Sequence, residues 1–452
     1  MRHWVKGKAL LVAVLAVVAG TAQADDLSHP TAPLPHDDVD YRVDSGNQGN
    51  PSDQVEMVWS HVVNLPSYVS MRLHFSLVSL ESGSVVRVVS AFDNDDQVFD
   101  GELFSEWFNT TAYFNGDTLT IELWAAPGTT NNRIVLSHVE AAKSPHPIDD
   151  GMGLGGGGQC GICGADDRAP SAVDWSGRIM NIGCTGSVYN TDSCVVSAGH
   201  CRTSGVIQFR VPNSNSNCST NNPPALDQFP ISGGQSRNSG VGADWWVTTT
   251  GTNGAGQRPY DRYGVFMPIA TAAANTGQPC TINGYGVDQT CTRSQTQQLS
   301  TGSITFRSGS HYEYNADVRG GNSGSGLIVN NAIVGIVTHC STGCPNYGTR
   351  HDNADFAAAR DAVCPDSGGV ECSNVKRLKA RCRDNGAIKG TVILLDNSNN
   401  GDTVTVSIDN TLDLVITVVD NKAKFNVCCY SGTHNVSLKD PSNCASTNVT
   451  CP

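Results

Sequence analysis

Positive charge is scarce in this 452-residue chain: 29 Lys and Arg stand against 42 Asp and Glu, and only 16% of residues are charged. A net charge of −13 argues against an electrostatic nucleic-acid binder, and the low charge content argues against disorder. Long apolar runs are missing too. The longest, at 9–19, falls short of the roughly 20 residues that a membrane-spanning helix needs. No internal repeat or coiled-coil heptad is visible, and between about 160 and 351 there is almost no helical periodicity. The length sets a prior of two to four domains, with ample chain for a large core.

What is present begins with an export signal. Arg2, Lys6 and Lys8 precede the apolar run, and Ala22-Gln23-Ala24 follows it, so cleavage is expected after Ala24 and residues 1–24 read as a signal peptide. The mature chain is then secreted, to the extracellular space or a periplasm, where disulfides persist. Seventeen cysteines fit that compartment. Cys160 and Cys163 form a Cys-x-x-Cys, but no second such pair and no histidine pair stands at ligand spacing, so disulfides are expected rather than zinc. The odd count leaves at least one thiol unpaired or intermolecular.

Composition divides the rest. Residues 25–50 are rich in Pro, Asp and Asn and read as an extended leader. Segments at 71–77, 85–89 and 119–124 alternate apolar and polar residues between turn-forming ones, which predicts an antiparallel β-sandwich of about 90 residues, giving an accessory unit over 25–142. Pro145, Pro147 and the glycines at 151–158 make 143–159 a flexible linker, a place where proteolysis could release the N-terminal unit. Residues 160–366 are rich in strands, Gly, Ser and Asn. One helix is expected near their end, from Asp or Asn caps at 352–353 through an alanine-rich body to Pro365. Over 367–452, six cysteines frame alternating runs at 403–408 and 414–419, predicting a small disulfide-held β domain of about 80 residues.

The chemistry lies in two short motifs. Gly321-Asn322-Ser323-Gly324 alone means little in a chain with 47 glycines, but Ser323 follows the His200 of Ser197-Ala198-Gly199-His200-Cys201 by 123 residues. A serine hydroxyl is a weak nucleophile at neutral pH; it needs an imidazole to take its proton and a carboxylate to fix the imidazole's tautomer. Ser323 is the expected nucleophile and His200 the base that later protonates the leaving amine. The backbone N–H groups of Gly321 and Ser323 suit a carbonyl oxygen gaining charge. Ser325 lacks the Gly-x-Ser-Gly frame and reads as a bystander. The other eleven histidines read as structural. Asp244, 44 residues after His200 at the start of an apolar run, is the expected carboxylate. Asp227 lies in a Pro-rich loop, and Asp261 stands beside Arg258 and Arg262, where an ion pair is expected.

At these residues the chain resembles the chymotrypsin-like serine proteases, in particular their secreted bacterial branch, which includes the glutamyl endopeptidases. Asp166-Asp167-Arg168, Cys184-Thr185-Gly186, the His200 motif, Ile282-Asn283-Gly284-Tyr285-Gly286, the Ser323 motif and Gly348-Thr349-Arg350 fall in the family's order across roughly 160–364. The resemblance implies two β-barrels followed by a terminal helix, and a Cys184–Cys201 disulfide that pins the histidine loop. The fold class is therefore mainly β, a double-barrel catalytic domain flanked by an N-terminal sandwich and a small C-terminal domain.

For specificity, the resemblance puts Asp317 where trypsin-like enzymes keep the acid that attracts Lys or Arg. It puts Val318 and Val337 where glutamyl endopeptidases hold the substrate's carboxylate. Two valines cannot hydrogen-bond a buried carboxylate; His339, two residues along, is the group that could substitute. A basic residue before the cut bond is expected, with an apolar one as the alternative. The leader also suggests a zymogen, with Arg168, Lys143 and the glycine linker as activation sites.

The implied partners are protein or peptide substrates, with a surface or glycan ligand for the accessory units. The rival reading is a catalytically inactive binding protein on a protease fold. An esterase is disfavoured because Ser323 leads into a strand rather than into the helix of a Gly-x-Ser-x-Gly elbow. No cofactor is implied. Oxygen donors cluster in the turns at 93–96 and 400–402, but their spacing fails the helix-loop-helix calcium pattern and a solvated acidic turn is expected.

Overall fold

The computed structural model describes residues 31–143, 161–364 and, with short gaps, 370–452. The signal peptide with its cut after Ala24, the linker beyond Lys143, Cys160 and the boundary at 366–367 lie outside the described residues, as do Asn400 and Gly401 of the second acidic turn.

Period-two alternation builds the N-terminal unit. Thr118–Ala125 buries every second side chain, as does Val85–Ser90. Two four-stranded antiparallel sheets result. One runs Asp37–Asp44, Arg133–Lys143, Tyr68–Ser79, Phe114–Asn115; the other runs Glu56–Asn64, Thr118–Ala125, Val85–Ser90, Asp96–Phe99. Their core holds Val63, Met71, Leu73, Leu119, Ile121 and Leu123, all fully buried. The first strand, Asp37–Asp44, lies inside the stretch that reads as an extended leader. It is an edge strand joined by backbone pairing to Arg133–Lys143, and its Val39, Tyr41 and Val43 alternate with Asp40, Arg42 and Asp44 and pack half-buried on the sandwich core, so the leader reading misses a short period-two run.

This sandwich rests on the first barrel. Its apolar core is continuous with Met180, Val206 and Ala225. Trp107 donates its indole N–H to the Thr252 carbonyl (2.9 Å), and Glu106 accepts the Thr252 backbone N–H (2.9 Å) and hydroxyl (2.6 Å). Gln228 bonds both backbone groups of Tyr113. In the first acidic turn, Asp95 accepts the Ala225 N–H at 2.8 Å.

At this junction Glu140 is nearly buried among Tyr113 (2.9 Å), His74 (3.2 Å), Arg72 (3.7 Å) and His36 (3.8 Å). Burial alone would push its carboxyl up, but the His74 hydrogen bond and the charges of Arg72 and His36 outweigh that and hold it at about 2. A pKa depressed on folding means that the folded state favours the ionised form. The stabilisation is complete above the ordinary carboxylate value of about 4.3 and is lost as pH falls through about 2. Acid should therefore loosen the sandwich by on the order of 3 kcal/mol across that window, and Glu140→Gln should flatten the dependence of the urea midpoint on pH over the same range.

Six strands close the first barrel in the order Ser176–Ile179, Cys184–Val188, Cys194–Ser197, Asp244–Thr250, Gln228–Asn238, Gly205–Gln208. The second runs Pro279–Gly284, Gly326–Val329, Ala332–Cys340, Asn346–Arg350, His311–Tyr314, Gln298–Arg307 and closes back on Pro279–Gly284. The expected helix is Ala354–Val363, N-capped by the Asn353 side chain. Phe356 stacks on Trp245, and Cys364 is bonded to Cys194 of the first barrel.

The C-terminal unit pairs a three-stranded sheet (Val375–Cys382, Ile388–Leu394, Lys422–Val427) with a four-stranded one (Leu412–Thr417, Thr403–Ile408, Gly432–Asp440, Ser446–Cys451). Cys372–Cys444 and Cys382–Cys451 staple it, while Cys428 and Cys429 are exposed free thiols. Cys280 is a third free thiol, buried in the second barrel, where desolvation pushes it up to about 12. No helix among the described residues is long and apolar enough to cross a membrane.

Candidate active site

His200 stands where a buried strand turns. Cys194–Ser197 pairs with Asp244–Thr250, setting Ser197 opposite Trp246, and the chain then makes one 3-10 turn, Gly199–Cys201. The Cys184–Cys201 disulfide ties this turn to the neighbouring strand. Asp244 begins its own strand and is fully buried. Its two oxygens divide the work on the histidine: Oδ1 accepts the His200 backbone N–H at 3.0 Å and Oδ2 meets Nδ1 at 2.6 Å. Thr349 holds the aspartate's backbone, donating its hydroxyl to the Asp244 carbonyl at 2.8 Å.

Ser323 comes from the second barrel, in a turn that leads into strand Gly326–Val329. The turn is fastened to the first barrel by the Thr185 N–H, which donates to the Ser323 carbonyl at 2.8 Å, and by the Thr185 hydroxyl, which donates to the Gly321 carbonyl at 2.8 Å. Cys201 Sγ lies 3.7 Å from the same Ser323 carbonyl, so the serine turn abuts the residue next to His200. Within the turn, Asn322 donates to Arg319 and Gly324 to Val337. Among the described residues, the N–H groups of Gly321 and Ser323 have no backbone acceptor. Gly321 has φ +101°, and a Cβ there would come within 2.2 Å of the Tyr285 carbonyl oxygen. Only glycine permits this approach.

The residues expected to set specificity do not share one environment. Asp317 is buried, and backbone N–H groups engage both its oxygens: Cys163 on Oδ1 (2.7 Å) and Asp167 on Oδ2 (3.2 Å). Desolvation pushes its carboxyl above the usual value, and the neighbouring charges of Asp167 and Asp166 add to this. Val318 and Val337 belong to the apolar cluster of the second barrel. Val318 takes the Gly161 carbonyl on its N–H, and Val337 exchanges backbone bonds with Gly324 and Ser325. His339 is directed at the catalytic side, with Nδ1 3.9 Å from Asp244 Oδ2 and its ring 6.4 Å from that of His200. The loop that holds Asp317 is itself stapled by Cys163–Cys344, and Cys340 is also disulfide-bonded.

The other aspartates have separate tasks. Asp227 is buried against Arg262 (2.5 Å) and the Tyr263 hydroxyl (2.6 Å), and Asp261 accepts the Arg258 N–H that starts a short helix. Thr185 and Thr349 are the supporting residues that sequence reasoning passes over. Both stand in motifs that carry the resemblance, but a threonine whose task is to bond a distant backbone has no local signature. Cys184, His200 and Cys201 lie within metal-ligand distance of one another, yet both sulfurs are bonded to each other and offer no thiolate.

Residues 162–358 match the family model described as Trypsin. No curated protein matches the chain. Among solved structures, a Glu endopeptidase in complex with MPD is 21% identical, covers 44% of this chain and 98% of its own, and superposes with a TM-score of 0.36. A thermostable serine protease, AL20, from an extremophilic microorganism is 17% identical, covering 41% of this chain and 97% of its own, with a TM-score of 0.33. Human heparin binding protein is 16% identical, covering 42% and 91%, with a TM-score of 0.32. With its two six-stranded barrels and this family match, the region 162–358 is a serine peptidase domain of the trypsin family.

Proposed function

We propose that this protein is an exported serine endopeptidase that cuts peptide bonds through an acyl-enzyme, with Ser323 as nucleophile, His200 as general base and then acid, and Asp244 as the group that fixes the histidine. The observation that carries the reading is the 2.6 Å contact between His200 Nδ1 and Asp244 Oδ2, made on a turn against which the Ser323 loop is fastened. A proton held on Nδ1 by the carboxylate leaves Nε2 as the acceptor for the serine hydroxyl. The N–H groups of Gly321 and Ser323 meet the oxyanion of the tetrahedral intermediate. His200 then protonates the departing amine, and water repeats the sequence on the acyl-enzyme. Export is supported by the basic and apolar N-terminal segment and by the six disulfides among the described residues.

The proposed preference is for a basic residue before the cut bond, drawn by Asp317. The test is digestion of a mixed peptide library by the secreted protein, with the cut bonds identified by mass spectrometry. Cuts after Lys and Arg that vanish in Asp317→Ala support the assignment; cuts after apolar residues in both proteins refute it. Asp317 also gives a pH signature. Its raised carboxyl protonates on acidification before an ordinary aspartate does, removing the charge that attracts the substrate cation. KM for a basic substrate should therefore rise at a pH above the ordinary value of about 3.9, while KM for a neutral substrate stays level. No cleavage of any peptide, even after limited proteolysis of the glycine linker, together with no labelling of Ser323 by a fluorophosphonate, would favour the binding-scaffold reading.

A further inference from the structure

We infer that residues 31–34 form a built-in strap over the leaving-group side of the catalytic cleft, holding the peptidase in check until the strap is displaced; this rests on the peptidase reading above. The segment docks in the manner of a strand. Ala32 donates its N–H to the Gly183 carbonyl at 2.9 Å, and its carbonyl accepts the Gln295 side-chain amide at 2.9 Å, so both backbone groups are satisfied and the residue is only 1% exposed. The groove is shaped for it. A Cβ on Gly183, which has φ +63°, would lie 1.7 Å from the Ala32 carbonyl oxygen, and one on Gly320 would lie 2.8 Å from the Thr31 carbonyl oxygen.

These contacts fall on the catalytic machinery. Gly320 directly precedes the proposed oxyanion residue Gly321 and stands three residues before Ser323. Gly183 adjoins Cys184, which is bonded to Cys201 beside His200, and lies two residues before Thr185, the residue that fastens the serine turn. His200 protonates the departing amine, so a segment seated along Gly183 lies where the far half of a substrate must pass.

The strap is also tethered. Leu34 is buried in the core shared by the sandwich and the first barrel, His36 bonds the Leu34 carbonyl at 2.7 Å, and strand Asp37–Asp44 follows at once. Five residues from Ala32 to Asp37 span at most about 18 Å. A ligand on so short a tether competes with free substrate at a high effective concentration. The sandwich thus acts as the anchor of the strap.

The test compares the secreted wild type with Ala32→Arg, whose side chain cannot fit between Gly183 and Gly320. Two readouts are taken: hydrolysis of a peptide extended on the leaving-group side, and end-point labelling of Ser323 by a small fluorophosphonate. The expected result is equal labelling with at least a tenfold faster hydrolysis by the variant, reversed by an added synthetic peptide of residues 31–36. Equal labelling with equal hydrolysis overturns the strap. If Ala32→Arg fails to fold and does not label, Gln295→Ala decides in its place, since it removes the bond to the strap carbonyl without adding bulk. The same acceleration is expected of it, and unchanged hydrolysis overturns the proposal. A wild type that neither labels nor cleaves after strap displacement refutes the peptidase reading itself.

Discussion

Ser323→Ala should lower peptide turnover by on the order of 10⁶-fold, with the thermal unfolding midpoint essentially unchanged. The change deletes one oxygen from a turn held by backbone bonds: Thr185 N–H to the Ser323 carbonyl, Gly324 N–H to Val337 and Asn322 N–H to Arg319. None of these uses the hydroxyl, so the fold has little reason to notice its loss. Ser325→Ala is the matching control. Its hydroxyl faces Gly284, where a Cβ would come within 2.2 Å of Ser325 Oγ, so it lies in the packing between the serine turn and strand Pro279–Gly284. Steady-state hydrolysis of one good peptide by the three proteins measures both effects. Turnover persisting in Ser323→Ala would remove the serine from the mechanism.

Asp244→Asn should lower kcat by about 10⁴-fold while preserving the structure. Asp244 serves two donors on the same residue, the His200 backbone N–H through Oδ1 and the ring Nδ1–H through Oδ2. Asparagine has one carbonyl oxygen to give. The backbone N–H cannot change its role, so the oxygen turns to it and the amide N–H₂ faces Nδ1. The ring must then accept on Nδ1 and carry its proton on Nε2, the wrong tautomer for receiving the serine proton. Thermal unfolding and a pH–rate profile separate this from a folding defect: an intact midpoint with a depressed rate across neutral pH is expected. A rate within tenfold of wild type would show that another group orients His200. His339, 3.9 Å from the same carboxylate oxygen, would be the first to examine.

How much was readable beforehand depended on whether the information was local. Alternation at 85–89 and 119–124 announces strands because each buries one face, and the structure has strands at Val85–Ser90 and Thr118–Ala125. The helix Ala354–Val363 is announced by its own cap and composition. Strand Asp37–Asp44 is easily passed over because its alternation is only three apolar residues long, Val39, Tyr41 and Val43, half-buried at a sheet edge and set among Asp, Pro and Asn. In the site, His200 and Ser323 stand in short motifs, whereas Asp244 is proposed only from chain order, and Thr185 and Thr349 carry no mark. The environment of Asp317 is equally invisible: its carboxylate is engaged by N–H groups from residues 154 and 150 positions away.

By itself the sequence determined the class of the protein, a mainly β chain with a trypsin-family domain. Apolar period, cysteine number and two short motifs are sums or neighbours along the chain, and together they point to a strand-built, disulfide-bonded serine peptidase. Only the tertiary structure decided which cysteines pair beyond Cys184–Cys201, how the sandwich seats on the first barrel, where the oxygens of Asp244 and Asp317 are directed, and that residues 31–34 run past the serine turn. Each of these is a contact between segments far apart in sequence. Such contacts are selected by the free energy of the whole packed chain, in which backbone groups of any residue type take part, so the residues at either end need not advertise them.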